Sequence, residues 1–351
     1  MNLSKNQIEK EGAQFIAQAL KTNNSNISID LSSNQIGNEG IQFISEALKS
    51  NSTMTSINLS TNEIDTAGAL SFVECLKSNS TITSINLSNN QIGDEGAKQL
   101  ILCLKPNIIS LELSSNPISQ YLLHIISALT NKDREIHIDL SRELSEEGVQ
   151  FISVWLKVNS TITSLRLASA YIANRGAQYL AESLRSDSTI QSIDLSYNEI
   201  EDEGAQFLSE CLKVNSTLTS INLYNNKIGT DGAKFISESL QSNSTLKSIN
   251  LAGNKIGNKG AQFFFESLRS NSSITYINLA GNGIGNETQF ITESLKSNST
   301  IKSIDISENQ IEKEGIQNII EYLKSNSIIT TINISKNEIG NEGAKMISDC
   351  L

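Results

Sequence analysis

The chain has 351 residues, two histidines, four cysteines and a formal net charge of −11. Acidity without a cluster of Lys and Arg excludes phosphate-backbone binding, so nucleic acid is not an expected partner. No apolar run reaches the length of a membrane span, so no membrane partner is expected either.

The N-terminus, Met1-Asn2-Leu3-Ser4-Lys5-Asn6, carries no secretion signal and already lies inside a recurring phrase, Leu-x-x-Asn-x-Ile. Clean copies are Leu31-Ser32-Ser33-Asn34-Gln35-Ile36, Leu87-Ser88-Asn89-Asn90-Gln91-Ile92 and Leu223-Tyr224-Asn225-Asn226-Lys227-Ile228. The usual spacing is 28 residues, as from Asn34 to Asn62 to Asn90. A fixed period in this range predicts a stacked solenoid of about thirteen units.

Residues 82–109 show how one unit is built. Ile82-Thr83-Ser84-Ile85-Asn86-Leu87-Ser88 alternates apolar and polar residues, the period of a strand, with Ile85 and Leu87 inward. Asn90 enters a turn, where a buried amide must bond the backbone of adjacent turns. Gly93-Asp94-Glu95-Gly96-Ala97 opens a helix whose apolar face is Ala97, Leu100, Ile101 and Leu104. Acidic residues such as Glu95 and Glu203 sit at helix starts, and basic residues such as Lys77 and Lys213 at helix ends, as the helix dipole favours. Strands stack about 4.8 Å apart and helices 8–10 Å apart. That mismatch predicts a horseshoe, α/β in class, with a parallel sheet on the concave face and helices on the convex face.

Further positions repeat. Phe15, Phe43, Phe151, Tyr179, Phe207, Phe235, Phe263 and Phe290 share one helix position, either packing against a neighbouring helix or forming an exposed aromatic groove. Cys75, Cys103, Cys211 and Cys350 share a small-residue slot, too far apart for disulfides, which predicts thiols and a reducing, cytoplasmic compartment. Trp155 fills that slot once and is expected to close a packing gap. Sequons such as Asn51-Ser52-Thr53 read as a repeated turn rather than as glycosylation sites.

The pattern fails between about 104 and 170. Pro106 shortens a helix, Asn116-Pro117 lacks the Gly-x-Glu-Gly start, and the next two asparagine positions hold Glu143 and Ala170. A second irregularity is Asn286-Glu287-Thr288-Gln289-Phe290, which has lost a glycine and one residue. Drift and a functional kink both account for these breaks. The whole chain, 1–351, reads as a single domain.

Asn-x-Ile-Gly-x-Glu-Gly-Ala followed by Leu-Lys-Ser-Asn-Ser-Thr-Ile-x-Ser-Ile-x-Leu resembles the ribonuclease-inhibitor subtype of leucine-rich repeat, and the arrays of NOD-like receptors in particular. The Ran GTPase-activating protein shares the subtype. The resemblance implies a right-handed leucine-rich-repeat solenoid that recognises a protein partner through its concave strands, or, alternatively, a GTPase activator of the Ran type. The strand face is mostly Ser, Asn and Thr. Its exceptions are the candidate partner-binding residues Glu112, His137, Asp139, Arg142, Arg166, Asp194, Tyr197, Tyr224 and Tyr276. Tyr and Arg are favoured anchors because each joins a large contact area to hydrogen bonding. Arg142, Arg166, Tyr197 and Tyr224 come from consecutive units and are expected to form a diagonal patch. Catalytic and metal chemistry has little support: His137, Asp139 and Glu112 lack a third imidazole or thiolate, and no cofactor is expected. The uncapped ends predict a fragment, frayed terminal units or end-to-end self-association. Delivery into a host cell is compatible with all of these features.

Overall fold

A computed structural model describes residues 1–348 apart from 24, 26, 105–107, 109, 131–136, 141–143, 160–161 and 325. It divides into two compact units, Met1–Glu135 and Ile136–Leu351. In the first, helices α1 (Lys10–Thr22), α2 (Gly37–Leu48), α3 (Thr66–Ser78), α4 (Asp94–Leu102) and α5 (Gln120–Thr130) alternate with strands β1 (Ser28–Asp30), β2 (Ser56–Asn58), β3 (Ser84–Asn86) and β4 (Ser110–Glu112). The second runs β5 (His137–Asp139), α6 (Glu146–Leu156), β6 (Ser164–Arg166), α7 (Asn174–Leu184), β7 (Ser192–Asp194), α8 (Asp202–Leu212), β8 (Ser220–Asn222) and α9 (Thr230–Leu240). It continues with β9 (Ser248–Asn250), α10 (Gly257–Ser267), β10 (Tyr276–Asn278), α11 (Gln289–Leu295), β11 (Ser303–Asp305), α12 (Lys313–Leu323), β12 (Thr331–Asn333) and α13 (Gly340–Ser348).

Each unit holds one parallel sheet in chain order, four strands in the first and eight in the second. Pairing is in register on the repeat, Ile57 opposite Ile85 and Ile221 opposite Ile249. The middle residue of each of these strands is buried and its flanks are half-buried. The core therefore lies between sheet and helices. Among the described residues no helix is long and apolar enough to cross a membrane.

Three rows of side chains tie each repeat to the next. The first is the expected asparagine ladder. Nδ2 of Asn90 donates to the carbonyls of Leu87 and of Leu59 in the preceding repeat, while its Oδ1 accepts from the backbone N–H groups of Asn62 and Ile64. Asn116 keeps this role despite the irregular sequence around it, accepting from Ile92 N–H and donating to Leu87 and Leu113. At Ala170, fully buried, the donor is lost, although Asn198 still accepts from the N–H groups of Ala170 and Ile172. Glu143 lies outside the described residues.

The second row is the sequon asparagine after each helix. Asn243 donates to the carbonyls of Leu212 and Asn215 and accepts from the N–H groups of Thr245 and Leu246. Asn51, Asn79, Asn215 and Asn271 are buried in the same way, which makes the sequon a turn device. Asp187 occupies this row once and accepts from the N–H groups of Thr189 and Ile190, but a carboxylate has no N–H to donate.

The third row explains the Gly-x-Glu-Gly start. Most described helices receive no side-chain cap from their own N-cap residue. The side chain after the first glycine caps the next repeat's helix instead. Oδ1 of Asp202 accepts from the N–H groups of Gly229 and Gly232, and Oδ1 of Asn174 from those of Glu201 and Gly204. The second glycine is needed for space, since a Cβ at Gly232 would lie 2.6 Å from Asp202 Oδ1. Asp65 and Ser145 cap their own helices, α3 and α6.

The helix aromatics divide between the two expected roles. Phe151 is buried and Tyr179, Phe207, Phe235, Phe263 and Phe290 are half-buried, whereas Phe15 and Phe43 are exposed. Lys259 Nζ stands 4.9 Å from the centre of the Phe263 ring, a cation–π contact on the outer helix face. Trp155 is buried in α6, as its place in the small-residue slot predicts. Cys211, in the same slot, is a buried thiol pushed up to about 12 by that burial. The helices respond to the irregular sequences: α4 ends at Leu102, and α11 is reduced to seven residues.

Candidate functional site

The strand face is shaped by what ends each strand. The last strand residue is usually Asn or Asp, and its Oδ1 accepts from the N–H two residues on, as Asn222 does from Tyr224 and Asn250 from Ala252. This Asx turn reverses the chain toward the buried ladder asparagine. Much of the polar row is therefore turn machinery. Residues departing from it are the ones available to a partner.

Arg166 is the departure at β6. In register it faces Asp139 of β5 and Asp194 of β7. Its guanidinium lies 3.6 Å from the Asp139 carboxylate and 3.3 Å from that of Asp194. Asp194 also accepts from Nδ2 of Asn222 at 2.9 Å. Arg166 is thus held between two carboxylates and does not project as an isolated cation. Its side chain is 58% exposed, so these pairs orient the group more than they stabilise the fold.

Tyr197 and Tyr224 come together one repeat further on. Their ring centroids are 4.9 Å apart with planes at 86°, an edge-to-face pair. The side-chain hydrogen bond with Tyr197, then that ring's charge and burial, hold the Tyr224 phenol above its ordinary range. Tyr197 is 51% exposed and has φ +55°, where a bulky residue is uncommon. The ring edge of Tyr224 overlies Gly253, whose added Cβ would meet it at 3.1 Å.

The other candidates separate. Glu112 is exposed at the end of β4, in the first unit, opposite Asn86. His137 opens β5, and its side chain lies outside the described residues, as does Arg142 entirely. Tyr276 is half-buried at the start of β10, two strands from Asn222, opposite Ser248 and Ser303. The described part of the expected diagonal thus consists of an Asp–Arg–Asp cluster and a tyrosine pair. Tyr171 joins them as a residue missed in the sequence reading. It is 77% exposed at φ +54°, in the position after the ladder residue where other repeats carry Gln7, Glu63 or Gln310. Comparing that single column reveals it. Among the described residues no group of three or more His, Cys, Asp or Glu converges as metal ligands would.

Ten stretches match the Leucine Rich repeat family model: 2–17, 23–45, 50–73, 78–100, 186–209, 214–237, 242–265, 270–287, 297–319 and 325–348. They span more than half of the sequence, and the chain belongs to the leucine-rich repeat family. The largest unmatched stretch, 101–185, contains the irregular repeats and both Arg166 and Tyr171. None of the curated proteins matches. Similar solved structures include an internalin of Listeria monocytogenes, 16% identical, with a TM-score of 0.45, covering 97% of this chain and 92% of that one. Leiomodin-1 actin-binding site 2 is 22% identical with a TM-score of 0.35, covering 39% of this chain and 79% of that one. The tropomodulin C-terminal domain of Caenorhabditis elegans is 14% identical with a TM-score of 0.37, covering 42% and 92%.

Proposed function

We propose that this leucine-rich-repeat chain is a protein-binding module that engages its partner on the strand face of the second unit. The anchors are the Asp139–Arg166–Asp194 cluster and the tyrosines at 171, 197 and 224. The observation carrying this reading is the edge-to-face tyrosine pair: two large side chains stand in water-facing positions where neighbouring repeats use Ser or Asn. Aromatic residues in such places are the usual anchors of protein interfaces. The ribonuclease-inhibitor-like character of the repeats, a single domain over 1–351 and action in a reducing cytoplasm belong to the same proposal. The GTPase-activator alternative would need an arginine presented to another protein's nucleotide. Arg166 is already engaged by two carboxylates, which favours the binding module.

The test is affinity capture from the source cell with the immobilised full chain. One variant carries Ser220→Arg and Ser248→Arg on the strand face; another carries Gln206→Arg and Gln241→Arg on the helix side. Loss of the captured protein with the first variant alone is the expected result. Capture that survives the strand-face arginines removes this reading.

A further inference from the structure

The tyrosine pair borders an unusually low stretch of the strand face. At the two positions before the ladder asparagine, β9 and β10 are followed by Ala252-Gly253 and Ala280-Gly281, where the preceding repeat carries Tyr224-Asn225 and the following one Ser307-Glu308. Gly253 and Gly281 have φ of +66° and +63°, and a Cβ added at Gly281 would meet only the backbone of Gly253, 3.6 Å away. For two repeats, then, the turn row presents backbone and methyl groups alone. Tyr197 and Tyr224 wall this floor on one side. On the other side stand Asp305 and Glu308. Glu308 is paired with Lys336 at 2.6 Å, but the two side chains are 50% and 73% exposed, so a competing cation displaces Lys336 at small cost.

The charge here is one-sided. Among the described residues of this face Asp139, Asp194, Asp305 and Glu308 stand against Arg166 and Lys336, four negative charges to two positive. The carboxylate of Glu308 also bears on Tyr224: after the bond to Tyr197, that ring's charge and burial, it is a further influence raising the phenol. The two walls therefore sense each other across the floor.

We propose that this floor seats an extended basic segment of the partner. One cationic side chain lies against the Tyr197–Tyr224 wall and a second, four residues along, lies at Asp305 and Glu308. The spacing follows from geometry. From β8 to β11 is three strand intervals, about 14 Å, and four residues of extended chain span about 13 Å. An even separation also puts both side chains on the same edge of the segment. A half-exposed tyrosine ring offers π surface to a cation. The bare Ala-Gly floor lets the partner's backbone approach between the walls. This inference rests on the strand-face reading above and adds the partner's chemistry.

The probe is the peptide acetyl-Ser-Arg-Ser-Gly-Ser-Arg-Ser-amide, titrated into the full chain and followed through the methyl signals of Ala252 and Ala280. A peptide with Glu in place of both arginines is the control. Variants Tyr197→Ser, Tyr224→Ser and Gly281→Asn restore residues that other repeats carry at the same positions, namely Ser169, Ser196 and Asn225, so the fold tolerates them. The expected result is saturable shifts with the arginine peptide, none with the glutamate peptide, and binding weakened about five-fold by each tyrosine variant. Glu308→Gln weakens it as well. Equal binding of both peptides, or binding unaffected in the Tyr197→Ser/Tyr224→Ser double variant, overturns the proposal. If the arginine peptide fails while strand-face arginines still abolish capture, this inference falls and the broader reading stands. If the peptide binds but capture ignores those arginines, the reverse holds.

Discussion

Asn226 illustrates how much one residue does in this fold. Its Nδ2 donates to the carbonyls of Leu195 and Leu223, and its Oδ1 accepts from Ile200 N–H, all in buried surroundings. Asn226→Ala leaves those backbone groups unsatisfied and is expected to cost about 2–4 kcal/mol, read from chemical denaturation. Asp187 offers the opposite case. Asp187→Asn keeps the acceptor used by Thr189 and Ile190 and restores an N–H toward the preceding repeat. It should raise stability by about 0.5–1.5 kcal/mol, seen as a higher melting temperature. The buried role of the ladder asparagine was legible in a single column of the sequence. The tyrosine contact was not, because Tyr197 and Tyr224 occupy different columns, and only the stagger between turns brings their rings to 4.9 Å. Arg166 read as an exposed anchor. Its partners Asp139 and Asp194 lie in the same column one repeat away on either side, so the register that pairs them was present in the sequence.

At the scale of the element, helix starts depend on their neighbours. Gly232→Ala forces a methyl against the Asp202 carboxylate that caps α9, and is expected to destabilise by about 2 kcal/mol or more, beyond the small helix-propensity gain of alanine. Asn and Asp at these positions looked like ordinary first-turn residues because the groups they cap lie 27 to 30 residues downstream. Asp65 instead caps its own helix, accepting from the N–H groups of Ala67 and Gly68. The bond from Asn38 and these backbone donors hold its carboxyl below 3.8, its ordinary value. A folded-state value below the unfolded one stabilises the native chain above about pH 4, and that contribution is lost as pH falls through the depressed value. Asp65→Asn should therefore flatten the acid limb of the stability curve, measured by urea denaturation between pH 5 and 2. Strands, helices and the parallel sheet were readable from alternation and 3–4 spacing. Their departures, a seven-residue α11 and the exposure of Phe15 and Phe43, reflect how neighbouring helices pack, which no single repeat encodes.

At the scale of the whole molecule, each repeat touches mainly the one before and the one after, so stability is approximately a sum over neighbours. Burial falls off along the second unit: α12 buries Ile316, Ile319 and Ile320, whereas among the described residues of α13 only Gly343 is buried. Amide exchange of this chain should accordingly be fastest in α13 and slowest around α8 to α10. The division into two units falls within the irregular stretch, and the same stretch coincides with the gap in the family match, so the departure from periodicity was visible in the sequence although its structural outcome was not.

The bonds between repeats also have a direction. A helix-start cap points forward, from Asp202 to the N–H groups of Gly229 and Gly232, while the ladder amide points backward, from Asn226 to Leu195. Shortening the second unit from its amino side would strip donors at a helix beginning, and shortening it from its carboxyl side would strip carbonyl partners in a turn. The two truncations injure different groups, so their remedies differ: an Asp or Ser placed just ahead of the newly first helix, and a surrogate amide donor beside the newly last turn. Swapping those remedies should rescue neither fragment.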